Sequence, residues 1–535
     1  MSKLSFHKEL ILNQWVLSFF NGKSILDLKL RLDDSRLEGI DEAGQSLFLS
    51  ELQRGLFHTD LISTNDLTRY DGNICKYWNE ITVRRNLTEG VTLNMKYFQY
   101  LSLLFTEIYL DWYFNKRKDL IHGLNQSIEG FNNEHSLDQR FTSYSQDDLN
   151  KLAFWNATGS GKTLLLHVNI LQYLYYYQNG NPDRYPDKII LLTPNEGLSR
   201  QHLEELTLSN FDFAKIFEKN QSSVFRGSIE VIDINKLSDE MGDKTIAVDA
   251  FEGDNLVLVD EGHRGTGTAA GAWMARREAL ISKGFAFEYS ATFGQAVSKS
   301  LTVIKAEDEL LKKKSRLLFE TGNLKRLTDN QRSVLALSPE EKRKARSLAI
   351  KEIYAKSIIF DYSYKYFYQD GYGKESLILN LKDEDYDRVD IAAQYFTACL
   401  LGFYQQQYLW ESNNERLIEF NIEKPLWIFV GNTVSGENSD ILNVIKFISR
   451  FLIDEEKSKV WISELLSNTP ILLDQKGRNI FENRFTPLLK FSPHEIYKNI
   501  LKTLFNAEVR QRLKVVNIRR GKGELALRVG DSTPF

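Results

Sequence analysis

Asn156-Ala157-Thr158-Gly159-Ser160-Gly161-Lys162-Thr163 lies between an apolar run at 152–155 and a helix-like run at 164–177, and its reading decides the fold of this 535-residue chain. Two glycines allow a tight turn that aims several backbone N–H groups at one anion, and the helix that follows adds its positive N-terminal end. The stretch therefore reads as a phosphate cradle. Lys162 is placed to reach the outer phosphates of a nucleotide, and the Thr163 hydroxyl to sit on a magnesium ion. The strict Gly-x4-Gly-Lys-Thr pattern is not met, because Asn156 and Ala157 stand where its first glycine would be.

Downstream, Lys188-Ile189-Ile190-Leu191-Leu192-Thr193-Pro194 is a continuous apolar run of the kind a parallel strand buried on both faces requires. The helix expected after it brings Asn195, Ser199, Arg200 and Gln201 to the strand end as candidate phosphate contacts. A second such run at 255–259 ends in Asp260-Glu261-Gly262-His263. Acidic residues at the tip of a parallel strand lie where an open α/β sheet places its ligands. Asp260 suits magnesium, opposite Thr163, and Glu261 suits activation of the attacking water. A third strand at 285–289 runs into Ser290-Ala291-Thr292. Upstream, Tyr97-Phe98-Gln99-Tyr100 opens a strongly apolar helix, and the Gln99 carboxamide is able both to donate to and accept from a base edge. The plainer reading of Gln99 is a glutamine on the polar side of a core helix.

The ordered set Gln99, Thr158 to Thr163, Thr193-Pro194, Asp260 to His263, Ser290 to Thr292 and an expected strand at Leu426 to Val430 resembles a superfamily 2 motor. More narrowly, it resembles the restriction (Res) subunit of type III restriction enzymes and the related DEAD/DEAH-box proteins of bacterial defence loci. The resemblance covers roughly residues 95–535. It implies an α/β fold with RecA-like P-loop lobes, each a parallel sheet with helices on both faces. Implied cofactors are ATP and Mg2+. Nucleotide contacts fall to Gln99, Thr158, Gly159, Ser160, Gly161, Lys162 and Thr163, metal binding to Thr163 and Asp260, and catalysis to Lys162, Asp260 and Glu261. His263, Ser290 and Thr292 are the implied coupling residues between hydrolysis and movement. The implied partner is DNA, most readily double-stranded, with a methyltransferase or other defence-system subunit beside it.

Four segments are expected: an accessory N-terminal domain at 1–94, a first lobe at 95–305, a helical, basic interlobe region at 306–422, and a partial second lobe at 423–535. The second lobe should open on the buried strand Leu426-Trp427-Ile428-Phe429-Val430. Two departures from the family pattern shape the functional expectation. No Gln-x-x-Gly-Arg-x-x-Arg pattern follows Gly431, so the second lobe is expected to be incomplete and the chain to bind Mg-ATP but hydrolyse it poorly. No nuclease set is present either. Pro339-Glu340-Glu341-Lys342 imitates one, yet Ser338 to Glu341 has the form of a helix start with Ser338 as cap.

Between Lys312 and Lys351 twelve Lys/Arg stand against four Asp/Glu. This is a candidate approach to a phosphate backbone, although a solvated helical surface is the commoner meaning of such a run. The aromatic residues at 386–404 read as core rather than as a base-stacking platform, and Arg519-Arg520-Gly521-Lys522-Gly523 as the turn of a basic hairpin. A net charge of −4 with 42% hydrophobic and 26% charged residues describes an ordinary folded protein, not a uniformly basic one. Cys75 and Cys399 form neither a metal pair nor a disulfide framework, and no apolar window is long enough to span a bilayer. A cytoplasmic ATP-dependent DNA translocase or helicase core is the expectation. The alternatives are an RNA helicase and a nucleotide-dependent scaffold with little turnover.

Overall fold

The computed structural model describes residues 6–20, 24–56, 61–135, 140–218, 226–238, 246–247, 251, 253–261, 280–281, 283–293, 304–319, 323–324, 327–373, 378–381, 389–418, 422–430, 440–517 and 525–535. The chain divides into two compact units, Met1–Lys374 and Glu375–Phe535.

The first unit is built on seven parallel strands: β1 (Lys151–Asn156), β2 (Ile189–Thr193), β3 (Lys215–Ile216), β4 (Ile229–Asp233), β5 (Leu256–Asp260), β6 (Phe285–Ser290) and β7 (Ile358–Tyr362). Their spatial order is β3-β4-β2-β5-β6-β1-β7. The continuous apolar runs have a simple cause. Leu152, Phe154, Ile189, Leu191, Leu256, Leu258, Phe285 and Phe287 enter one core, whereas the alternate residues Ile190, Leu192, Val257, Val259 and Ala286 enter a second and Ala153 and Trp155 a third. With both faces covered, polar residues along these strands are few, and Glu288 on β6, fully buried, is paired with Lys151 at the start of β1 at 3.1 Å. Seven parallel strands flanked by helices form an α/β lobe of the RecA-like kind, as the sequence implied.

Helices α1 (Ile11–Leu17), α2 (Thr64–Glu89), α3 (Tyr97–Asn115), α4 (Arg117–Asn133) and α5 (Lys162–Gln178) contribute to the first of these cores. Ser63 and Asp66 form a reciprocal cap at the start of α2, and Gly90, at φ 69°, ends it. Residues 97–112 of α3 are all buried, so this helix runs through the core instead of lying over it. Further along are α6 (Glu196–Leu208), α7 (Pro339–Ser357) and the short α8 (Tyr364–Gln369). The expected boundaries at 94/95 and 305/306 both fall inside this unit. The segment before residue 95 packs on the lobe, α2 lying against α3 and α5. The segment after 305 is needed too, since β7 pairs with β1, from Ala153↔Ile358 to Asn156↔Tyr362.

In the second unit, α9 (Val389–Ser412), α10 (Asp440–Ile453), α11 (Glu455–Leu466) and α12 (Pro493–Leu504) enclose a core that includes Leu401, Tyr404, Phe451, Ile462 and Tyr497. The aromatic residues of α9 serve packing, as expected. An antiparallel hairpin, β8 (Leu513–Asn517) with β9 (Leu525–Val529), closes the chain, and the basic turn between them lies outside the described residues.

Here one expectation fails. Among the described residues this unit has no parallel sheet, and residues 422–430 form no strand. Leu426, Ile428 and Val430 are 80%, 70% and 83% exposed. The segment is held against α9: Trp427 meets Phe403 with ring centroids 5.8 Å apart, Gln407 Nε2 donates to the Pro425 carbonyl at 3.2 Å and Trp410 Nε1 to the Ile422 carbonyl at 3.0 Å. Among the described residues, no helix is long and apolar enough to cross a membrane.

Candidate nucleotide site

The C-terminal tips of the strands collect the residues singled out by the sequence. Asn156 ends β1, Thr193 ends β2, Asp260 ends β5, Ser290 ends β6 and Tyr362 ends β7. Because β6 alone separates β1 from β5, their tips stand about 10 Å apart, a gap that two long side chains can bridge. They do bridge it: Lys162 Nζ donates to Glu261 Oε1 at 2.6 Å, with each side chain 14% exposed. The cradle and the acid pair thus open on one site.

The loop between β1 and α5 is shaped by its glycines. Gly159 at φ 89° and Gly161 at φ 84° adopt left-handed conformations that side-chain-bearing residues seldom enter. Ser160 is tied inward, its N and Oγ both donating to the Ala157 carbonyl at 3.2 and 2.8 Å. The Ala157 N–H donates to Tyr362 O at 2.9 Å, which anchors the loop on β7. Lys162 and Thr163 are the first residues of α5, where its N–H groups face an incoming anion. Gln99 reaches the same loop. Its Nε2 donates to Ser160 O at 3.2 Å, while its Oε1 accepts from Lys96 N at 2.9 Å.

On the acidic side, Glu261 sits at φ 54°, a costly backbone conformation for a non-glycine residue, and its N–H donates to Tyr289 O at 2.9 Å. Asp260 Oδ2 accepts from His202 Nε2 at 3.0 Å. His202 is buried on α6, its Nδ1 has no partner among the described residues, and no motif marks it in the sequence. Among the described residues no three His, Cys, Asp or Glu groups cluster to cage a metal. One hydroxyl and one carboxylate are what magnesium takes from a protein when phosphates and water complete its shell, so Thr163 and Asp260 fit that ion.

Ser290 is buried, and its Oγ accepts from Thr292 N at 3.0 Å; the Ala291 carbonyl accepts from Trp155 Nε1 at 3.1 Å. The Ser-Ala-Thr segment is thereby tied to the end of β1. Gly262 and His263 lie outside the described residues.

Other candidates prove to be engaged elsewhere. Asn195 caps α6 by accepting from Leu198 N at 2.9 Å, Ser199 Oγ lies 2.6 Å from Thr193 Oγ1, and Arg200 pairs with Glu196. In the basic run Lys314 pairs with Glu341, Arg346 with Glu307, Lys344 with Glu340 and Lys351 with Glu9. Much of that charge is neutralised within the protein. The nuclease look-alike at 339–342 is the first turn of α7, where Ser338 Oγ accepts from Glu341 N at 3.2 Å.

Residues 117–295 match the model of a helicase superfamily 2 family described as the type III restriction enzyme, res subunit. No curated protein matches the chain. The matched segment holds the phosphate loop, the acid pair and Ser-Ala-Thr; Gln99 and β7 lie outside it. This part of the chain is similar to the helicase-like domain of restriction systems.

Proposed function

We propose that the protein carrying this res-subunit domain is an ATP-dependent motor on double-stranded DNA, the translocase or helicase core of a type III restriction-like or related bacterial defence enzyme. The observation that carries the reading is the 2.6 Å contact of Lys162 with Glu261. The cation suited to phosphate and the carboxylate suited to water lie within contact of one another, as two halves of one site must. Bound Mg-ATP supplies the phosphoryl group to be transferred and a divalent charge to stabilise it. Lys162 and the loop amides from Thr158 to Thr163 hold the phosphates, and Thr163 and Asp260 hold the metal. Glu261 would orient and deprotonate the attacking water. His263, Ser290 and Thr292 relay occupancy to the nucleic-acid face, and a methyltransferase or other defence subunit directs the motor.

The test is ATP hydrolysis by the purified chain with duplex DNA, single-stranded DNA and RNA side by side. Turnover should be slow, with duplex DNA stimulating it most, and Lys162→Ala should abolish the stimulated rate; robust turnover would overturn the expectation of poor hydrolysis. Equal or greater stimulation by RNA would move the substrate to RNA. A second reading, a scaffold that holds ATP with little turnover, is favoured by the absence of a second parallel sheet among the described residues. Glu261→Gln decides between the two: a variant that grips DNA in ATP more stably than the parent shows that turnover normally resets the grip.

A further inference from the structure

A cavity of about 710 Å³ opens in the first unit, and its lining includes none of residues 156–163, Gln99, Asp260 or Glu261. Its size is that of a small-molecule site. One wall is the edge of the sheet, where Asp361 of β7 is the register partner of Trp155 on β1. His7 covers this pair. Its ring stacks on Trp155 with centroids 4.4 Å apart and planes 9° from parallel, and its Nδ1 lies 2.6 Å from Asp361 Oδ2. The neighbouring wall is pinned in place, because Asn13 Nδ2 donates to Ile359 O at 2.8 Å and Gln14 Nε2 to Lys8 O at 2.7 Å.

Charge on the lining does not cancel. Lys8 and Lys365 have no carboxylate partner among the described residues, unlike Lys314, Lys344, Arg346 and Lys351 elsewhere in the unit. Of the two carboxylates on the lining, Asp361 is committed to His7 and to the N–H of Ser363 at 3.0 Å, which leaves Glu134 alone against both lysines. His7 and His135 spend Nδ1 on Asp361 and on the Phe131 carbonyl, at 2.6 and 2.7 Å, and keep Nε2 for a ligand. Flat surface stands beside the charge: His135 stacks on Phe131 at 3.9 Å, and Tyr366 meets His7 edge-on at 6.3 Å. Lysine ammonium groups are point charges suited to phosphate, and ring surfaces suit a planar group.

We infer that this cavity is a second ligand site, one that takes a phosphate ester carrying a planar ring, with Lys8 and Lys365 on the phosphate and His7, His135 and Tyr366 around the ring. A nucleoside monophosphate has that chemistry, either free or as the phosphorylated end of a strand. Occupancy has a short route to the first site. Trp155, under the His7 ring, donates from Nε1 to Ala291 O at 3.1 Å, so a ligand pressing on His7 acts on the Ser-Ala-Thr segment through one side chain. The cavity stands independently of what the phosphate loop binds.

The test titrates adenosine 5′-monophosphate, adenosine and a 5′-phosphorylated dinucleotide into the whole chain, followed by calorimetry and tryptophan fluorescence. The same titrations are run on Lys162→Ala, on Trp155→Phe and on a double variant, Lys8→Ala with Lys365→Ala. Both of these lysines are exposed, so their replacement leaves the fold intact. The monophosphate should bind and change the fluorescence, and adenosine should bind about tenfold more weakly. The double variant should weaken the monophosphate about tenfold, and Lys162→Ala should leave it unchanged. Trp155→Phe should keep the affinity and lose the fluorescence change. A dinucleotide that binds more tightly than the monophosphate assigns the site to strand ends, and one that binds no better assigns it to free nucleotides. No binding of either phosphate ester, equal binding of adenosine, or indifference to the two lysine changes overturns the site. So does binding lost in Lys162→Ala, or a fluorescence change that survives Trp155→Phe, because either places the ligand elsewhere.

Discussion

Lys162 and Glu261 were legible one by one as candidates, each following a buried apolar run, but their contact was not. Neither was His202. It meets Asp260 across 58 positions of chain, and a histidine inside a helix carries no signal of what lies opposite it. Its effect follows from hydrogen bonding: a donor on Oδ2 restrains the orientation of the carboxylate proposed to hold the metal. His202→Ala should therefore raise the Mg2+ concentration needed for half-maximal ATP binding about tenfold, with less effect on the amount bound at saturating Mg2+. His202→Gln, whose carboxamide also donates, should recover most of the loss. An unchanged Mg2+ requirement in His202→Ala would reduce this contact to packing. Gln99 shows how far a residue can be read on its own: both its pairing with α3 and its reach to the loop are real, and the sequence could not rank them.

At the scale of elements, the layer α2-α3-α5 carries an electrostatic cost inside its core. Burial pushes the Glu107 carboxyl up to about 7 from 4.5, against hydrogen bonds from Tyr176, Asn73 and Gln172 that favour its ionised form. Between those values the folded chain holds a proton that the unfolded chain has released. The stabilisation from this group is thus complete below about pH 4.5 and is lost as pH rises through about 7. His167 on α5 has the opposite sign. Burial pushes it down to about 3 from 6.5, so its contribution is complete above pH 6.5 and is lost as pH falls towards 3. Glu107→Gln keeps the amide-like shape without the titration. Its stability relative to the parent, from urea unfolding at pH 5, 6, 7 and 8, should improve with pH by up to about 3 kcal/mol. A difference constant across that range would mean that Glu107 does not titrate there. Elements also show where pattern reading stops. Residues 426–430 carry the same continuous apolar run as β2 and β5, yet only the latter become strands. A parallel strand is made by neighbours distant in sequence, and a run of five residues says nothing about whether they are present.

At the scale of the whole molecule, the first unit is larger than the lobe its motifs outline, for the same reason. Motifs mark the tips of β1, β5 and β6, but the sheet edge beyond β1 comes from residues 358–362, and one helical face is closed by α2 from before residue 90. Neither element carries chemistry, so neither stood out in the sequence. Their removal should nevertheless be decisive. A fragment of residues 95–305 loses β7, and with it the Tyr362 carbonyl that holds Ala157 N, and exposes the α3 and α5 surface that α2 covers. Residues 1–374 keep all of these contacts. The longer fragment should unfold in a single cooperative transition and bind ATP within about threefold of the full chain, because every residue described at the site lies within it. The shorter fragment should be aggregation-prone and bind no ATP, since its exposed apolar helix faces and unpaired β1 edge invite association. Soluble, ATP-binding protein from residues 95–305 would show that the phosphate loop takes its shape from the matched domain alone, without the β7 edge.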